Sequence, residues 1–453
     1  MKQLSFINRR RKGALAIAAS VLALGVASSA NAQCNSSLIN RVVASDGVIF
    51  DRFGVSVVIQ GDRAVIGARR AEQSGVPSGG AYVFERIAGQ WVQQFKLGRV
   101  DQADGDEFGS SVAMDGNTIV VGVPHDDDYG NDSGSVYVYT SVFGFWFQQA
   151  KLLADDGMED DFFGSSVAIS GDTIVVGAHS NDHDGTNSGA AYVYTRSGGV
   201  WTQRVKLSPS DAQPLDHFGA EVFIKGNLIA VGATGLSAGG SDGGAVYMYS
   251  RSVVNGTWTQ GATLIASNTH QGNGFGTDIA MGTNSMVIGS SLSDEGGGFH
   301  VGAAHVFTTN DGGDTWTLQA KLIADDGLSQ DSFGDGVAIS EDDQIIVVGA
   351  PHDDTALGLN SGSAYIFTRV GGGFIQREKL LPFSAPEFSG FAVSLDGGSL
   401  VIGARAFTGQ SYFYDLNCST CPADINGDGG LNFFDVAGFL NLFNANDPVG
   451  DYN

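Results

Sequence analysis

The pair Phe-Gly recurs along this chain at a nearly constant interval, and that interval constrains the fold more than any other feature. Complete copies begin at Phe53, Phe108, Phe163, Phe218, Phe275 and Phe333, and a weaker seventh copy lies at Phe388-Ser389-Gly390. Successive copies are 55 to 58 residues apart. A period of this length is typical of β-propellers and other repeat folds. We therefore expect seven copies of one structural unit.

Each repeat contains four short segments in which apolar and polar residues alternate. In the third repeat these segments are residues 164–169, 173–177, 190–194 and 201–207, separated by turns of Gly, Asp and Ser. Alternation with a period of two predicts β-strands. A β-solenoid is the competing architecture, but its coils are usually much shorter than this period. We predict an all-β fold, a seven-bladed β-propeller of four-stranded antiparallel blades.

The two ends of the repeat region complement each other. Residues 38–43 match the fourth strand of a repeat, whereas the seventh repeat stops after its third strand at residues 411–414. The N-terminal strand is therefore expected to complete the last blade and close the ring, which leaves no free sheet edge. Superposing the repeats brings Cys34 and Cys418 together in one turn and predicts a disulfide between them. A Cys418–Cys421 pair is the alternative.

The first residues have the pattern of an export signal. Residues 9–12 are basic, residues 14–27 are apolar, and Ala30-Asn31-Ala32 resembles a cleavage site. We assign residues 1–32 to a signal peptide and expect a secreted, extracellular or cell-surface protein without a membrane span. With 49 acidic and 24 basic residues the net charge is −25, which argues against nucleic acid as a partner.

Acidic residues are concentrated in two kinds of loop. They lie between strands 4 and 1 and between strands 2 and 3, and in an up-and-down blade these loops emerge on the same face. The candidate cation or ligand sites on this acidic face are Asp126, Asp127, Asp128, Asp155, Asp156, Asp182, Asp184, Asp353 and Asp354. Solvation and turn formation are the alternative explanation, because Asp favours such loops whatever the function.

Other residues that recur with the repeat are interpreted as structural. The Asp two residues before each Phe-Gly is expected to form a turn, and the five tryptophans, which share one repeat position, are expected to pack within the blade. His125 and His352 occupy equivalent loop positions and are not assigned as general bases. The fifth repeat departs most from the pattern, at residues 270–273 and 295–300.

A loop near the C terminus has the spacing of an EF-hand calcium site. Its candidate ligands are Asp424, Asn426, Asp428, Gly430, Asn432 and Asp435. Gly429 occupies the position where the loop turns sharply. An amphipathic helix over residues 434–443 is expected to follow. The sequence therefore predicts a calcium-binding, EF-hand-like loop and helix after the propeller.

Residues 421–453 resemble a dockerin, in particular the variety that opens with Cys-Pro-Ala-Asp. Dockerins carry two such loops and connect exported proteins to a cohesin-bearing partner. Here the second loop would begin at residues 451–453, so we expect residues 418–453 to be a partial dockerin-like segment. The resemblance implies calcium as a cofactor and a cohesin-like partner.

The repeat itself resembles the FG-GAP repeats of integrin α-subunit propellers. The resemblance covers about residues 37–416 and rests on Phe-Gly, a Val-Val-Gly-Ala-Pro-like strand and Gly-x-x-Tyr-Val-Tyr. The calcium loops of the integrin repeats are replaced here by short turns such as Ser170-Gly171-Asp172. We expect residues 33–417 to form a non-enzymatic binding or adhesion propeller that presents its acidic face to an extracellular protein or polysaccharide. An extracellular polysaccharide hydrolase or lyase is the alternative.

Overall fold

The computed structural model describes residues 34–72, 75–235, 243–266, 272–383, 387–405 and 409–418. These residues form 28 β-strands, which pair into seven separate four-stranded antiparallel sheets. The prediction of a seven-bladed, all-β propeller is confirmed. The predicted signal peptide and the predicted calcium loop and helix lie outside the described residues.

Six blades are built from four consecutive strands, and the seventh also uses the first strand of the chain. Blade 1 contains β2 (Phe53–Gln60), β3 (Arg63–Ala68), β4 (Gly80–Ile87) and β5 (Gln90–Leu97). Blade 2 contains β6 (Ser111–Asp115), β7 (Thr118–Val123), β8 (Ser135–Val142) and β9 (Phe145–Leu152). Blade 3 contains β10 (Val167–Ser170), β11 (Thr173–Ala178), β12 (Ala190–Ser197) and β13 (Val200–Leu207).

The remaining blades follow the same order from the inner to the outer strand. Blade 4 contains β14 (Phe218–Lys225), β15 (Leu228–Ala233), β16 (Ala245–Arg251) and β17 (Trp258–Leu264). Blade 5 contains β18 (Phe275–Met281), β19 (Ser285–Ser290), β20 (Ala303–Thr308) and β21 (Thr317–Leu322). Blade 6 contains β22 (Val337–Ile339), β23 (Ile345–Ala350), β24 (Ser363–Val370) and β25 (Gly373–Leu380). Blade 7 contains β26 (Ser389–Asp396), β27 (Ser399–Ala404), β28 (Gln410–Cys418) and β1 (Cys34–Val42).

The ring closes through β1, as the sequence predicts. This strand pairs antiparallel with β28 and forms the outer strand of blade 7, so the last blade combines both ends of the repeat region. Trp91 of blade 1 then stacks on Phe413 of blade 7, with ring centroids 4.4 Å apart. The junction between the last and first blades is therefore packed like the others.

The apolar core lies between neighbouring blades and is repeated around the ring. The Phe of each complete Phe-Gly pair is buried and packs edge-on against an aromatic side chain of the third strand in its own blade, as Phe163 does against Tyr192 at 5.4 Å. Phe163 also belongs to a cluster that contains Val120 and Val138 of blade 2. Edge-to-face aromatic pairs of this kind add about 0.5–1.5 kcal/mol beyond the area that they bury.

Glycine recurs where the second strand of one blade approaches the Phe-Gly turn of the next. A Cβ atom built on the second-strand glycine would lie closer than 3.0 Å to the carbonyl oxygen of the facing glycine. The seven pairs are Gly67 with Gly109, Gly122 with Gly164, Gly177 with Gly219, Gly232 with Gly276, Gly289 with Gly334, Gly349 with Gly390, and Gly403 with Gly54. The last pair joins blade 7 to blade 1. These pairs require glycine because two backbones touch there.

The residue before each Phe-Gly pair has a left-handed backbone conformation in every blade. These seven rim residues are Arg52, Glu107, Phe162, His217, Gly274, Ser332 and Phe388. Phe388 is therefore a rim residue, and Ser389 takes the place of the repeat Phe in blade 7, where it pairs with Gly362 as Phe108 pairs with Gly79. In blade 3 a further turn at residues 164–166 follows, so the first strand begins at Val167 rather than at residue 164.

None of the described segments forms a helix long and apolar enough to cross a bilayer.

The glycine contacts between blades can be tested by one substitution. We expect Gly177→Ala to lower the free energy of unfolding by about 1–3 kcal/mol, because the added methyl group overpacks the contact with the Gly219 backbone. Gly261→Ala is the matched control, since the nearest atom to its Cβ is 3.7 Å away and the change should be nearly neutral. Thermal or urea unfolding of both variants measures the difference, and equal stabilities would contradict this role.

The disulfide prediction is not tested by the fold, but the strand register bears on it. Cys34 and Cys418 are directly opposite each other in the β1–β28 pair, and such residues have Cα atoms about 4.5–5.5 Å apart, within the range that a disulfide spans. We expect non-reducing peptide mapping to recover a linked Cys34–Cys418 peptide. Reduction should destabilise the ring by about 2–5 kcal/mol. A linked Cys418–Cys421 peptide would contradict the prediction.

Candidate functional site

The first strands of all seven blades surround a central channel. At one end the channel widens into a cavity of about 550 Å³, which residues from every blade line. A second cavity of about 330 Å³ continues from it and shares Glu221 and Asp278 as lining residues. We call the larger cavity and the seven rim residues around it the channel mouth.

The inner wall of the channel is uniform in blades 1 to 3 and differs in blades 4 to 6. Two residues after Phe-Gly, the first three blades carry serine, and Ser166 Oγ accepts a hydrogen bond of 3.0 Å from the Val222 amide of the next blade. Blades 4 and 5 place Glu221 and Asp278 at this position. Blade 6 carries Asp335 one residue earlier. The repeat symmetry is therefore broken by three carboxyl groups on one side of the channel.

The protein environment favours the protonated form of these three carboxyl groups. Burial raises the pKa of Asp278 to about 7, although its oxygens accept hydrogen bonds from the Val337 amide at 2.6 Å and the Ile279 amide at 2.8 Å. Burial also raises the pKa of Glu221, and the nearby Asp278 carboxylate raises it further. Burial raises the pKa of Asp335 to about 6, and Arg405 opposes the shift. The side chains face the channel, so a ligand inside it can reach them.

Aromatic rings and histidines form an arc across blades 2 to 4. Phe162 lies between His125, at 5.2 Å edge-on, and His179, at 5.5 Å stacked. His179 is also 6.0 Å from His217. Burial, with the neighbouring His217 and His125, lowers the pKa of His179 to about 4, so this imidazole is neutral near pH 7. The arc offers flat apolar surface beside polar groups.

Arginines on blades 7 and 1 lie next to this arc, and Arg69 lines the cavity. Arg69 and Arg70 contact the two oxygens of Glu107 at 3.3 and 3.4 Å, and Arg405 lies 3.6 Å from the ring centre of Phe391. Burial lowers the pKa of Arg52, and the nearby Arg69 and Arg70 charges lower it further. The mouth is therefore basic on one side and carboxylic on the other.

The predicted acidic face exists, but internal partners occupy much of it. Asp101 from a loop between strands 4 and 1 and Asp128 from a loop between strands 2 and 3 both contact Lys151, at 2.9 and 2.6 Å, which confirms that the two loop types share a face. Similar lysine pairs hold Asp126 at 3.0 Å from Lys151, Asp156 at 2.8 Å from Lys206, and Asp353 at 2.7 Å from Lys379.

The other predicted acidic-face residues take part in turns or stand at the surface. Asp127, Asp182 and Asp354 accept backbone hydrogen bonds of 2.9, 2.7 and 2.8 Å from residues in their own loops. Asp155 is exposed, and Asp184 lies 4.0 Å from the His183 ring. Among the described ranges, no group of three or more His, Cys, Asp or Glu side chains is arranged to hold a metal ion.

Several structural interpretations from the sequence are confirmed by contacts. The recurrent Asp two residues before Phe-Gly accepts a hydrogen bond from the backbone amide three residues earlier. Asp161 accepts it from Met158 at 2.9 Å, and Asp51 accepts it from Val48 at 2.8 Å. Trp91 and Trp201 are buried in blade packing. Arg196 also covers Trp201, 4.8 Å from its ring centre.

The structure places two other features from the sequence, a loop histidine and the irregular fifth repeat, differently relative to the cavity. His125 lies at the channel mouth, where its Nδ1 is 2.7 Å from Asp132. Residues 295–300 of the fifth blade do not line the cavity; Thr277 and Asp278 are the residues of that blade that do. Residues 270 and 271 lie outside the described ranges.

The predicted calcium ligands from Asp424 to Asp435 also lie outside the described residues. The calcium site and the cohesin-like partner therefore stay predictions.

Sequence reasoning missed the three channel carboxyl groups and the arginines. The available signal was positional: once the repeats are aligned on Phe-Gly, the second residue after it is Ser in three blades, Glu221 in blade 4 and Asp278 in blade 5. Acidic residues are far more numerous in the loops than at this repeat position, so the loops gave the stronger sequence signal.

Comparison with known families agrees with the fold. The FG-GAP repeat family matches residues 37–84, 91–139, 146–194, 201–249, 258–307 and 316–367. These six matches cover more than half of the chain, so the protein belongs to the FG-GAP repeat family. Each match begins in the outer strand of one blade, or in the sixth match one residue before it, and ends in the third strand of the next blade. A search among curated proteins found no match.

The channel carboxyl groups predict a specific pH dependence. A carboxyl whose pKa is raised by folding stabilises the protein while protonated and loses that contribution as pH rises through the folded pKa. Glu221→Gln removes the charge that repels Asp278. We expect the variant to equal the wild type near pH 4 and to exceed it at pH 8 by on the order of 1 kcal/mol.

Thermal unfolding at a series of pH values measures this difference. Asp155→Asn is the control, because Asp155 is exposed on a loop away from the channel, and its effect should not grow between pH 4 and pH 8. A constant difference between Glu221→Gln and the wild type across this range would show that Glu221 and Asp278 do not interact.

Proposed function

We propose that this protein is an exported, non-enzymatic binding protein that receives part of an extracellular protein or polysaccharide at the channel mouth. The FG-GAP propeller is a fold associated with binding and adhesion. The observation that carries the proposal is that residues packing the blades repeat around the ring, whereas residues at the channel mouth differ from blade to blade. Glycine, Phe and Tyr positions repeat from blade to blade, whereas the rim and inner-wall positions hold Arg, Glu, Phe, His, Asp or Ser according to the blade.

The loop face around the mouth would form the outer part of the binding surface. Its lysine–aspartate pairs hold loops from neighbouring blade edges in fixed positions, as Lys151 does with Asp101 and Asp128. A rigid rim lowers the entropy lost on binding. The dockerin-like segment would bind calcium through Asp424, Asn426, Asp428 and Asp435 and tether the propeller to a cohesin-like partner.

The proposal is tested by binding arrays of extracellular glycans and proteins, probed with the full chain in the presence and absence of calcium. We expect a ligand whose binding is reduced at least about tenfold by Phe162→Ala, because this change removes the central ring of the aromatic arc. Phe143→Ala is the matched control, since Phe143 is 98% exposed at the outer edge of blade 2. Equal loss in both variants, or no ligand on either array, would contradict binding at the mouth.

A second candidate function is cleavage of a polysaccharide. Glu221 and Asp278 favour it, because two interacting carboxyl groups whose pKa values are raised can supply a proton donor near neutral pH. Release of new reducing or unsaturated sugar ends from the array-positive polysaccharide, abolished in Glu221→Gln, would establish the enzyme. If the polysaccharide is unchanged after long incubation, cleavage is contradicted and the binding function is retained.

A further inference from the structure

The arginines of the channel mouth are in excess over the carboxylates that contact them. Arg52, Arg69 and Arg70 belong to blade 1 and Arg405 to blade 7. Burial lowers the pKa of Arg52, and the charges of Arg69 and Arg70 lower it further. Burial also lowers the pKa of Arg405; Asp335 opposes this shift, and Arg69 and Arg52 add to it. We call these four residues the arginine cluster. Such a concentration of positive charge stands out in a chain of net charge −25.

Glu107 is the carboxylate that the cluster contacts, and its oxygens are fully engaged. One oxygen lies 3.4 Å from Arg70, and the other lies 3.3 Å from Arg69 and 3.7 Å from His125. Within the described part of the chain, no carboxylate oxygen lies within 4.0 Å of Arg52 or Arg405. The Nε atom of Arg69 is buried without a hydrogen-bond partner.

The neighbouring cations contrast with this arrangement. Lys96, Lys151 and Lys206 each meet a carboxylate at 2.7 to 2.9 Å. Glu107 and, at longer range, Asp335 offset part of the charge of the arginine cluster. The remaining like charges repel one another, and an anion that bridges them reduces the repulsion. Guanidinium groups bind planar carboxylates and tetrahedral sulfates through paired hydrogen bonds.

The rest of the cavity restricts what can be attached to that anion. Its wall is rich in hydroxyl and carboxyl oxygens, from Ser56, Ser110, Ser165, Glu221 and Asp278. These atoms accept hydrogen bonds from ligand hydroxyl groups. Arg69 is the arginine that lines the cavity, so the ligand places its acidic group there and its neutral hydroxyls against the oxygen-rich wall.

Building on the proposed binding function, we propose that the arginine cluster binds the acidic group of an anionic saccharide, with the adjoining sugar hydroxyls directed toward Glu221 and Asp278. A sugar ring presents several hydroxyl donors, which suits a wall of oxygen acceptors. A peptide backbone presents one amide donor per residue, fewer than the hydroxyl donors of one sugar ring. The cavity volume of about 550 Å³ accommodates a short oligosaccharide segment. Carboxylate sugars and sulfate-ester sugars share the chemistry that the arginines recognise.

Isothermal titration of the full chain at low salt tests the proposal with three probes. They are a galactose trisaccharide with one terminal galacturonic acid in place of galactose, the galactose trisaccharide with one sulfate ester, and the unmodified neutral galactose trisaccharide. We expect at least one acidic probe to bind and the neutral probe to bind at least about tenfold more weakly. The acidic probe with the higher affinity shows whether the arginines prefer a carboxylate or a sulfate ester. Raising the salt concentration should weaken acidic binding more than neutral binding.

Variants locate the site. Arg69→Gln and Arg405→Gln should each weaken the acidic probe by about tenfold or more, because each loses a charged pair of hydrogen bonds. Arg204→Gln is the matched control, because Arg204 is exposed on the outer strand of blade 3, where it donates a hydrogen bond to Thr195 of the third strand. This variant should bind like wild type. Unfolding temperatures of all three variants verify that they fold, and either mouth variant alone suffices for the comparison.

Three results would overturn the proposal. They are equal binding of neutral and acidic probes, acidic binding that survives both arginine substitutions, and a polyglutamate peptide that binds at Arg69 more tightly than any saccharide. If a protein or neutral glycan on the arrays binds in a Phe162-dependent manner while both acidic saccharides fail, binding at the mouth stands and the anionic saccharide is excluded. If no array ligand is found either, the proposed function itself fails.

Discussion

Direct backbone contact between glycines of neighbouring blades is the constraint on which the rest of this structure depends. In each of the seven pairs, the second-strand glycine faces the carbonyl oxygen of the next Phe-Gly turn with no room for a side chain. This distance sets the spacing of the inner strands and hence the width of the channel. It also explains why Phe and Gly recur together: the Phe fills the space between blades, as Phe163 does against Val120 and Tyr192, while the Gly allows the blades to meet.

The same constraint separates scaffold from site. Because glycine, Phe and Tyr positions fix the blades, the residues immediately before and after Phe-Gly are free to differ. Their side chains point to the axis, where Glu221, Asp278 and Asp335 meet the serine-lined wall of blades 1 to 3. Although the seven blades share one fold, the residues that line the channel differ from blade to blade. Chemical polarity across the mouth, basic on blades 7 and 1 and carboxylic on blades 4 to 6, results from a few substitutions in an otherwise regular frame.

Much of the fold could be predicted from the sequence, and the reason is physical. A repeated alternation determines strands, a fixed period determines equal blades, and the missing outer strand of the last repeat determines how β1 closes the ring. Strand starts were less predictable, because a turn at residues 164–166 delays β10 to Val167, whereas β2 starts directly at Phe53. Residue spacing alone carries no information about such turns.

The site was harder to predict than the fold because its residues are distant in sequence. Arg69 and Arg405 are brought together by ring closure, and Glu221 and Asp278 by the stacking of blades 4 and 5. Abundant loop aspartates gave a stronger sequence signal, yet lysines such as Lys151 and Lys379 hold many of them. The abundance of loop aspartates predicted the acidic face, whereas the channel mouth is marked by residues that differ from the repeat, such as Glu221 and Asp278.

The left-handed conformation of the rim residues has a consequence for how such a ring can be altered. A non-glycine residue in this conformation costs about 1–2 kcal/mol, and six of the seven blades bear that cost. The turn is held by backbone hydrogen bonds, such as that from the Ser165 amide to the Phe162 carbonyl at 3.1 Å, so the side chain at this position contributes little to the blade. Each rim side chain can therefore change without rebuilding the blade. Because rim side chains such as Glu107 and Phe162 contact the blade before them, a new specificity would be built from substitutions in neighbouring pairs of blades.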